Sequence, residues 1–324
     1  MKKTIAKLLI ACSTLAYSCK GEQLPVPGIP DHPQENPGQD PSSGTETAMH
    51  LRAGTFNIRC ISSSDTGYKS WEFRKDNCIR IIEDNGFDII GLQEVSVSEG
   101  TYLRSRMSQK YGFHLVGRDD GETAGEAVGI LYLNERFEAI ENGRFFLSAT
   151  PEAVSSPYPA WTSSDPGRNR VAAWIKLRDK SSGARLLAIS THLEVGKTDE
   201  LAIRMKSAEL ICSYLNIINQ ENLPVILAGD MNSKPTEETN TIFRKTFTDS
   251  YLEADSKGVR EGYKGTFNGH NYNPEDYLDT QGLRIDYVYL KGGISVTHYR
   301  VVNDRYDGYY PSDHCPVLVD IEST

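Results

Sequence analysis

The chain of 324 residues carries 35 Lys and Arg against 44 Asp and Glu, which gives a formal net charge of −9 and a pI near 5.4. This balance argues against a protein that wraps nucleic acid through a basic face, because such binding relies on Lys and Arg to neutralise phosphates. Hydrophobic residues make up 38% and charged residues 24% of the chain. These fractions are typical of globular proteins, so disorder throughout is excluded.

The first eighteen residues have the order of a bacterial secretory signal. Lys2 and Lys3 precede an apolar stretch over 8–17, and Ser18 precedes Cys19. This order predicts a signal peptide over 1–18, too short to span a membrane, and lipidation of Cys19 as the first mature residue. A plain secretory signal cut nearby and an uncleaved start are the alternatives. Removal of 1–18 takes away three lysines and no acids, leaving 32 basic and 44 acidic side chains and a net charge of −12.

Residues 19–50 have the composition of a tether. Six prolines between 25 and 41 are interleaved with Gly, Ser, Gln and Glu. Such a stretch cannot bury enough apolar surface to fold and tends toward extended conformations. With a lipid on Cys19 it would hold a soluble domain over 51–324 at the periplasmic or outer membrane, as in a bacterial lipoprotein. The lipid anchor would then be the chain's one contact with the membrane.

From residue 51 onward, short β-branched runs and helical patterns alternate. In chain order the runs predict strands at 51–58, 87–92, 127–133, 170–177, 185–192, 225–228, 284–290 and 317–321. Apolar residues at three- and four-residue steps predict a helix over 199–219, and a second helix is predicted over 72–83, before Asn85-Gly86. This alternation favours a layered α/β domain with helices outside the sheets.

Polar side chains stand at or near the ends of several predicted strands. They are Asn57, Glu94, His192, Asp230, Asn232, Asp286, Asp313 and His314. Each alone is most often a turn former or a surface charge. Together, carboxylate and amide oxygens with two histidines could hold a hard divalent cation, activate a water and neutralise a phosphate. Zinc is less favoured, because no HExxH or CxxC spacing is present.

Nine motifs in the same order resemble those of the endonuclease/exonuclease/phosphatase superfamily, whose members share the fold of pancreatic deoxyribonuclease. They span 51–322 and read TFNIR, LQEV, GEAVGILY, NRVAAW, STHLE, GDMN, GTFNG, RIDYV and SDHCPV. The phrases GRDDG and FFLSATPE are most similar to the family's bacterial secreted metal-dependent hydrolases. The resemblance implies an α+β or α/β fold, a four-layer αββα sandwich of two packed mixed β-sheets flanked by helices. It also implies Mg²⁺ or Mn²⁺ and hydrolysis of phosphoric esters.

The resemblance further implies a role for each matching residue. Glu94 resembles the family's metal-binding glutamate, Asn57 the asparagine that shares the metal's shell, and Asp313 a further acidic group at the metal. Asp230 resembles the aspartate that orients or deprotonates the attacking water. Asn232, two residues later, resembles an asparagine that contacts the phosphate.

Two histidines and an arginine complete this set. His314 resembles the histidine that stabilises the pentacovalent phosphate, and Asp286 the carboxylate that keeps its ring charged. His192 resembles the second histidine of the deoxyribonuclease and sphingomyelinase branches, with Glu126 as the acid paired to it. Such partners matter because the unperturbed histidine pKa is only about 6.5. Arg170 resembles the arginine that reaches a substrate phosphate oxygen.

Two departures from the family bear on the substrate. Ser96 stands where deoxyribonucleases of this fold carry a groove-binding arginine, and Arg59 where abasic-site endonucleases carry an aspartate. With the acidic charge, they favour a phosphoesterase acting on an extracytoplasmic small, glycan-linked or lipid-linked phosphodiester or phosphomonoester. A secreted nuclease and a binding module that kept the fold but lost turnover are the alternatives. We expect a phosphoester substrate, no stable complex with nucleic acid, and a monomer.

Four cysteines remain in the predicted domain. They are Cys60, Cys78, Cys212 and Cys315. Export would permit disulfides, but spacing does not fix the pairing. A bond between Cys60 and Cys78 is one conceivable pairing, because the first strand and the first helix are neighbours in sequence.

Overall fold

The computed structural model describes residues 49–154, 168–195, 200–270, 274–280 and 283–323. The predicted signal peptide over 1–18, Cys19 and the tether as far as residue 48 lie outside the described residues. Met49 is buried, and its amide donates to Ser323 Oγ at 2.8 Å. The folded domain therefore begins before residue 51, the expected boundary, because the two residues preceding it already pair with the final strand.

Within the described ranges, strands dominate and helices lie between them. The strands are β1 (His50–Asn57), β2 (Ile89–Val95), β3 (Tyr111–Gly117), β4 (Ala127–Leu133), β5 (Phe137–Phe146), β6 (Val171–Asp179), β7 (Arg185–His192), β8 (Val225–Asp230), β9 (Thr248–Asp249), β10 (Arg260–Glu261), β11 (Asp286–Lys291), β12 (Ile294–Val301) and β13 (Val317–Ser323). The helices are α1 (Trp71–Asp84), α2 (Val97–Met107), α3 (Glu200–Ile218), α4 (Glu238–Arg244), α5 (Ser250–Lys257) and α6 (Pro274–Thr280).

The eight predicted strands and both predicted helices are present, with ends that differ by a few residues at most. The sequence pattern missed β3, β5, β12 and α2, together with the shorter strands and helices. β3 and β5 are the outermost strands of their sheets. Residues 138–142 of β5 are exposed, so this strand lacks the apolar alternation by which strands are recognised.

The strands form two mixed sheets that pack face to face. The first has the order β10-β12-β13-β1-β2-β4-β3 and the second β5-β6-β7-β8-β11-β9. The core between them includes Ala53 and Ile89 from the first sheet and Ala188, Ile226 and Val288 from the second. Helices α1 and α2 cover the outside of the first sheet, and α3 and α4 cover the outside of the second. The expected four-layer αββα sandwich is thereby confirmed.

A short polar bridge crosses this core beneath one end of the sheets. Thr55 Oγ1 donates to Gln93 Oε1 at 3.1 Å, and Gln93 Nε2 donates to Ser190 Oγ at 3.2 Å. The sheets approach closely here, since a Cβ on Gly91 would lie 2.9 Å from the Cβ of Ala228. Each buried polar atom in the bridge has a partner on another strand, which fixes the positions of the strand ends just beyond it.

All four cysteines of the domain are free thiols, so the conceivable bond between Cys60 and Cys78 is not formed. Cys78, on α1, is instead buried in the apolar core beside the first sheet, and its thiol donates to the carbonyl of Pro311. Among the described residues, no helix combines the length and apolar character needed to span a membrane.

Candidate active site

Three adjacent strands of the second sheet place three polar side chains side by side. In the register of β7, β8 and β11, His192 is opposite Asp230, and Asp230 is opposite Asp286. Directly opposed residues point to the same face of a sheet. All three are buried, with at most 5% of their surface exposed. β8 runs two residues farther than the sequence predicts, so Asp230 is held by strand pairing on both sides.

The first sheet contributes Asn57 and Glu94, two of the three predicted metal residues. Asn57 Nδ2 donates to Glu94 Oε1 and to Asp230 Oδ2, both at 3.0 Å, and so joins the two sheets. Glu94 has a φ of +58° where the pairing of β2 with β4 shifts register between Leu92 and Val95. A positive φ is costly for a residue with a side chain, and bulges of this kind re-aim side chains beside active sites.

His314 lies on the loop before β13, and the structure pairs it with Asp286 as the sequence predicts. Its Nδ1 is 2.9 Å from Asp286 Oδ2, and its Nε2 is 3.8 Å from Asp230 Oδ2. The Thr266 hydroxyl donates to Asp286 Oδ2 at 2.6 Å and orients that carboxylate. Burial alone would lower the pKa of His314, but the charge and hydrogen bond of Asp286 outweigh it and raise the pKa well above 6.5. The ring is therefore an imidazolium.

His192 is in the opposite state. Burial and the charge of Arg170 lower its pKa well below 6.5, so the ring is neutral at pH 7. Its Nε2 lies 2.9 Å from Asn232 Nδ2, which also donates to the carbonyl of Leu193 at 3.0 Å. Both hydrogens of the Asn232 amide are thus used. In this state Asn232 positions the histidine ring instead of offering the predicted donor to a phosphate.

The expected pair of Glu126 with His192 is not formed. Both carboxylate oxygens of Glu126 accept from Arg118, at 2.7 and 2.8 Å. A guanidinium matches a carboxylate with two parallel hydrogen bonds, which an imidazole cannot do. Arg170 lies next to His192, where it is buried and 3.5 Å from Glu194, and its contact with a substrate phosphate oxygen stays a prediction. Arg118 was missed; it lies in the GRDDG phrase, whose Gly and Asp residues suggest a turn rather than a site.

Asp313, the expected further acidic group at a metal, is held by Arg59. The Arg59 Nη1 donates to Asp313 Oδ2, while its Nε and Nη2 donate to Asp65 at 2.7 and 2.8 Å. The guanidinium already neutralises the charge of the Asp313 carboxylate. In this structure Asp313 therefore holds the loop of Arg59 and is not available as a metal ligand. Arg59 itself has a φ of +59°.

A buried arginine ties together the two loops that carry Arg59 and Asp313. Arg74, on α1, is 1% exposed and donates to the carbonyls of Ile58 and Pro311 at 2.7 and 2.9 Å. It also donates to the carbonyls of Lys69 and Arg59. Arg74, which no motif indicates, therefore holds both loops at the rim of the site in place through their carbonyls.

The donor set suits a hard divalent cation. Burial opposes ionisation of Glu94, but the Asn57 hydrogen bond, the charge of His314 and a hydrogen bond from the Cys60 amide hold its pKa below the usual range. Asp286 Oδ1 is buried without a hydrogen-bond partner among the described residues, and ligand atoms of Asp286, Asp230 and His314 lie within 4.8 Å of one another. Oxygen-rich sites of this kind favour Mg²⁺, Mn²⁺ or Ca²⁺. Glu94 and Asn57 are the residues that would hold the ion, and Asp230, bonded to Asn57 Nδ2, lies beside them.

Asp230 lies at the centre of this arrangement. Burial and the nearby charge of Asp286 raise its pKa to about 7, against the opposing effects of His314 and of hydrogen bonds from Asn232 and Asn57. A carboxylate with a pKa near the working pH is well suited to accept a proton during a reaction. The site therefore combines a proton acceptor, an imidazolium and ionised oxygen ligands within one buried cluster.

The sequence pattern of the Endonuclease/Exonuclease/phosphatase family matches residues 54–314, which include all the residues above. The chain belongs to this family. Members of the endonuclease/exonuclease/phosphatase family depend on divalent metals and hydrolyse phosphoester bonds. The match begins within β1 and ends at His314, so it covers the second sheet and all of the first except the start of β1 and the strand β13.

Solved structures and curated relatives agree with this membership. A family protein from Bacteroides thetaiotaomicron is 27% identical with a TM-score of 0.75, and covers 86% of this chain and 99% of its own. A mannosyl-6-phosphatase from the same species is 29% identical with a TM-score of 0.73, covering 84% and 99%. Human Nocturnin is 28% identical over 281 residues, which are 78% of this chain, and the chain spans 59% of Nocturnin's length.

Proposed function

We propose that this protein hydrolyses a phosphoester of a small, glycan-linked or lipid-linked substrate outside the cytoplasm, by attack of water at a metal-assisted centre. The observation that carries the proposal is the placement of Asp230 between Asn57 and His314, with a pKa near 7 and the ionised Glu94 close by. This cluster places a base, a cation and metal ligands together, as hydrolysis of a phosphoester requires.

The chain's own residues have distinct tasks in this reaction. Asp230 Oδ2 accepts a proton from the water, because its raised pKa matches neutral pH. In-line attack builds negative charge on the non-bridging phosphate oxygens, and His314 is placed to donate to one of them through Nε2. Asp286 and Thr266 keep that ring charged and oriented. A divalent cation, proposed to be Mg²⁺ or Mn²⁺, would supply positive charge to the phosphate and lower the pKa of a bound water.

Three observations support a sugar- or lipid-linked substrate over DNA. The 29% identical Bacteroides structure is a mannosyl-6-phosphatase. Ser96, at the position of the groove arginine, instead caps α2, where its hydroxyl accepts from the Glu99 amide. The mature chain would carry a net charge of −12, which opposes general binding of nucleic acid. We further propose a monomer that is anchored through a lipid on Cys19 in the periplasm or outer membrane.

A screen of phosphate esters tests the function. Wild type and Glu94→Ala are assayed with Mg²⁺, Mn²⁺ or Ca²⁺ against mannose 6-phosphate, other sugar phosphates, lipid-derived phosphates and plasmid DNA. We expect hydrolysis of a sugar or lipid phosphate by the wild type alone. Efficient plasmid nicking at moderate salt, with all other substrates untouched, would replace the proposal with a secreted nuclease.

Asp230→Asn is the variant that tests the role of the base. It keeps the size and most hydrogen bonds of the side chain but cannot accept the proton, so turnover should fall by about 10³-fold or more. Far-ultraviolet circular dichroism and metal binding by calorimetry are the controls for folding and for the ligand set. Near-normal turnover in a folded, metal-binding variant would contradict the assignment.

A further inference from the structure

A second cluster of charges lies directly beside the catalytic residues. A small cavity between the two sheets is lined by Glu94 and His192 on the catalytic side and by Arg118 and Arg170 on the other. Glu126, Val128 and Val171 also line it. Its free volume is about 10 Å³, which corresponds to a single water-sized group.

The two arginines in this cavity are incompletely hydrogen-bonded. Arg118 uses Nη1 and Nη2 for Glu126, and Arg170 reaches Glu194 only at 3.5 Å. The Nε atoms of both side chains are buried and have no hydrogen-bond partner among the described residues. Buried donors are almost always satisfied in native structures, and groups left unsatisfied are frequent at functional sites. The cavity therefore presents two guanidiniums with capacity for an anionic ligand.

We propose that Arg118, which no motif indicates, joins Arg170 in binding the non-ester oxygens of a terminal phosphate, and that the enzyme is selective for phosphomonoesters. This inference rests on the proposed function and names its substrate class. A monoester dianion has three non-ester oxygens and a larger negative charge than a diester, so it can contact both guanidiniums as well as His314. The free volume beside the guanidiniums, about 10 Å³, admits one phosphate oxygen and is too small for a second ester substituent.

Glu126 acts as the exchangeable partner of Arg118 in this arrangement. Its carboxylate presents two oxygens with the same fork geometry as a phosphate. In the absence of substrate it keeps the Arg118 guanidinium oriented toward the cavity; when a phosphate enters, its oxygens take over the Nη contacts. Glu126 is then a positioning residue for Arg118, in place of the histidine partner that the family resemblance implies.

Calorimetric titration with inorganic phosphate in the presence of Mg²⁺ tests the subsite without any need for turnover. Arg118→Ala should weaken phosphate binding by about 10- to 100-fold, the range for a lost charge-assisted hydrogen bond. Arg118→Lys, which keeps the charge but lacks the fork, should lie between. Arg178→Ala is the matched control, because Arg178 is an exposed ion-paired arginine of β6 remote from the cavity. Phosphate affinity of Arg118→Ala within about threefold of wild type would overturn the proposal.

Glu126→Gln separates the two roles considered for Glu126. If it is the exchangeable partner of Arg118, its neutralisation should leave phosphate binding as tight as in the wild type or tighter. If it instead keeps His192 charged, the same variant should bind phosphate more weakly, and the proposal fails. This variant and Arg118→Lys also decide the question should Arg118→Ala not fold.

Kinetics with a matched pair of esters test the selectivity. The wild type should favour p-nitrophenyl phosphate over bis(p-nitrophenyl) phosphate, and Arg118→Ala should reduce that ratio of kcat/KM by about tenfold or more, mainly through KM. An equal loss for both esters would reject the subsite and leave the hydrolase intact. Phosphate binding that depends on Arg118 in a protein that cleaves neither ester would retain the subsite and reject the proposed function.

Discussion

The two buried histidines of the site have nearly the same surroundings and opposite charges. Each is 5% exposed, and their Nε2 atoms lie 3.5 Å and 3.8 Å from the same oxygen, Asp230 Oδ2. His314 has a carboxylate on its other nitrogen and is charged, whereas His192 faces the guanidinium of Arg170 and is neutral. Burial alone therefore does not decide the charge of an active-site histidine; the first charged neighbour does.

This contrast divides the site into two cationic sides with different chemistry. On the β11 side the positive charge is an imidazolium, which can donate a proton. On the β4 and β6 side it resides on Arg118 and Arg170, which keep their protons under all assay conditions. Asp230 lies between them, so the group that accepts a proton is flanked by one side that can exchange protons and one that cannot.

The largest expected effect on the difference in charge between His314 and His192 comes from removing the Asp286 carboxylate that bonds to His314. Asp286→Asn should deprive the ring of its charge and orientation and lower kcat by about 10³-fold or more, as expected when a histidine loses its orienting acid. Asp249→Asn is the control, since Asp249 is also a buried carboxylate of the second sheet but pairs with Arg284. It should lower the melting temperature with little change in kcat. Equal losses of kcat in the two variants would contradict the role of Asp286 in charging and orienting His314.

A smaller effect is expected at His192, because a neutral acceptor can be replaced. In His192→Gln the amide oxygen can accept from Asn232 Nδ2, so kcat should fall by about tenfold or less, against about 10³-fold for His314→Gln. Steady-state kinetics on both variants at pH 7 measures the difference. Comparable losses would mean that His192 carries charge during the reaction.

The pH dependence of stability gives the mildest test. The folded pKa of His192 lies well below 6.5, so as pH falls below about 6.5 the unfolded chain binds a proton that the folded chain does not. Wild type should therefore lose stability relative to His192→Gln by up to about 1.4 kcal/mol per pH unit below 6.5. Urea unfolding of both proteins in chelator from pH 7.5 to 5 measures this, and the difference between them removes contributions from Asp230. A difference that stays constant with pH would assign His192 an ordinary pKa.

The sandwich and the catalytic strand ends could be predicted from the sequence because both depend on local pattern. Buried strands such as β4 and β7 have continuous apolar runs, and their ends are marked by polar residues such as His192. Edge strands such as β5 have charged faces toward solvent, and no pattern separates them from loops. The polar residues at the ends of the predicted strands are the residues that the fold brings together in the site.

The pairings of the site were less accessible, because they depend on geometry across the chain. Arg59 and Asp313 are 254 residues apart, and only the folded loops show that one neutralises the other. Glu126 was assigned to a histidine by resemblance, yet Arg118 competes for it from eight residues away with a better-matched set of donors. Residue types at strand ends could be predicted, whereas the partner that each charge selects could not.

The position of β13 in the first sheet has a consequence for how the domain acquires its structure. This strand lies between β1 and β12, and Met49 bonds to Ser323, 274 residues later in the chain. The sheet and the loop bearing His314 therefore close only when the final segment pairs with the first. Such long-range closure makes folding slow, and a chain lacking β13 would expose two unpaired edges to self-association. Catalytic competence and protection of the sheet edges thus depend on the same long-range pairing of β13 with β1.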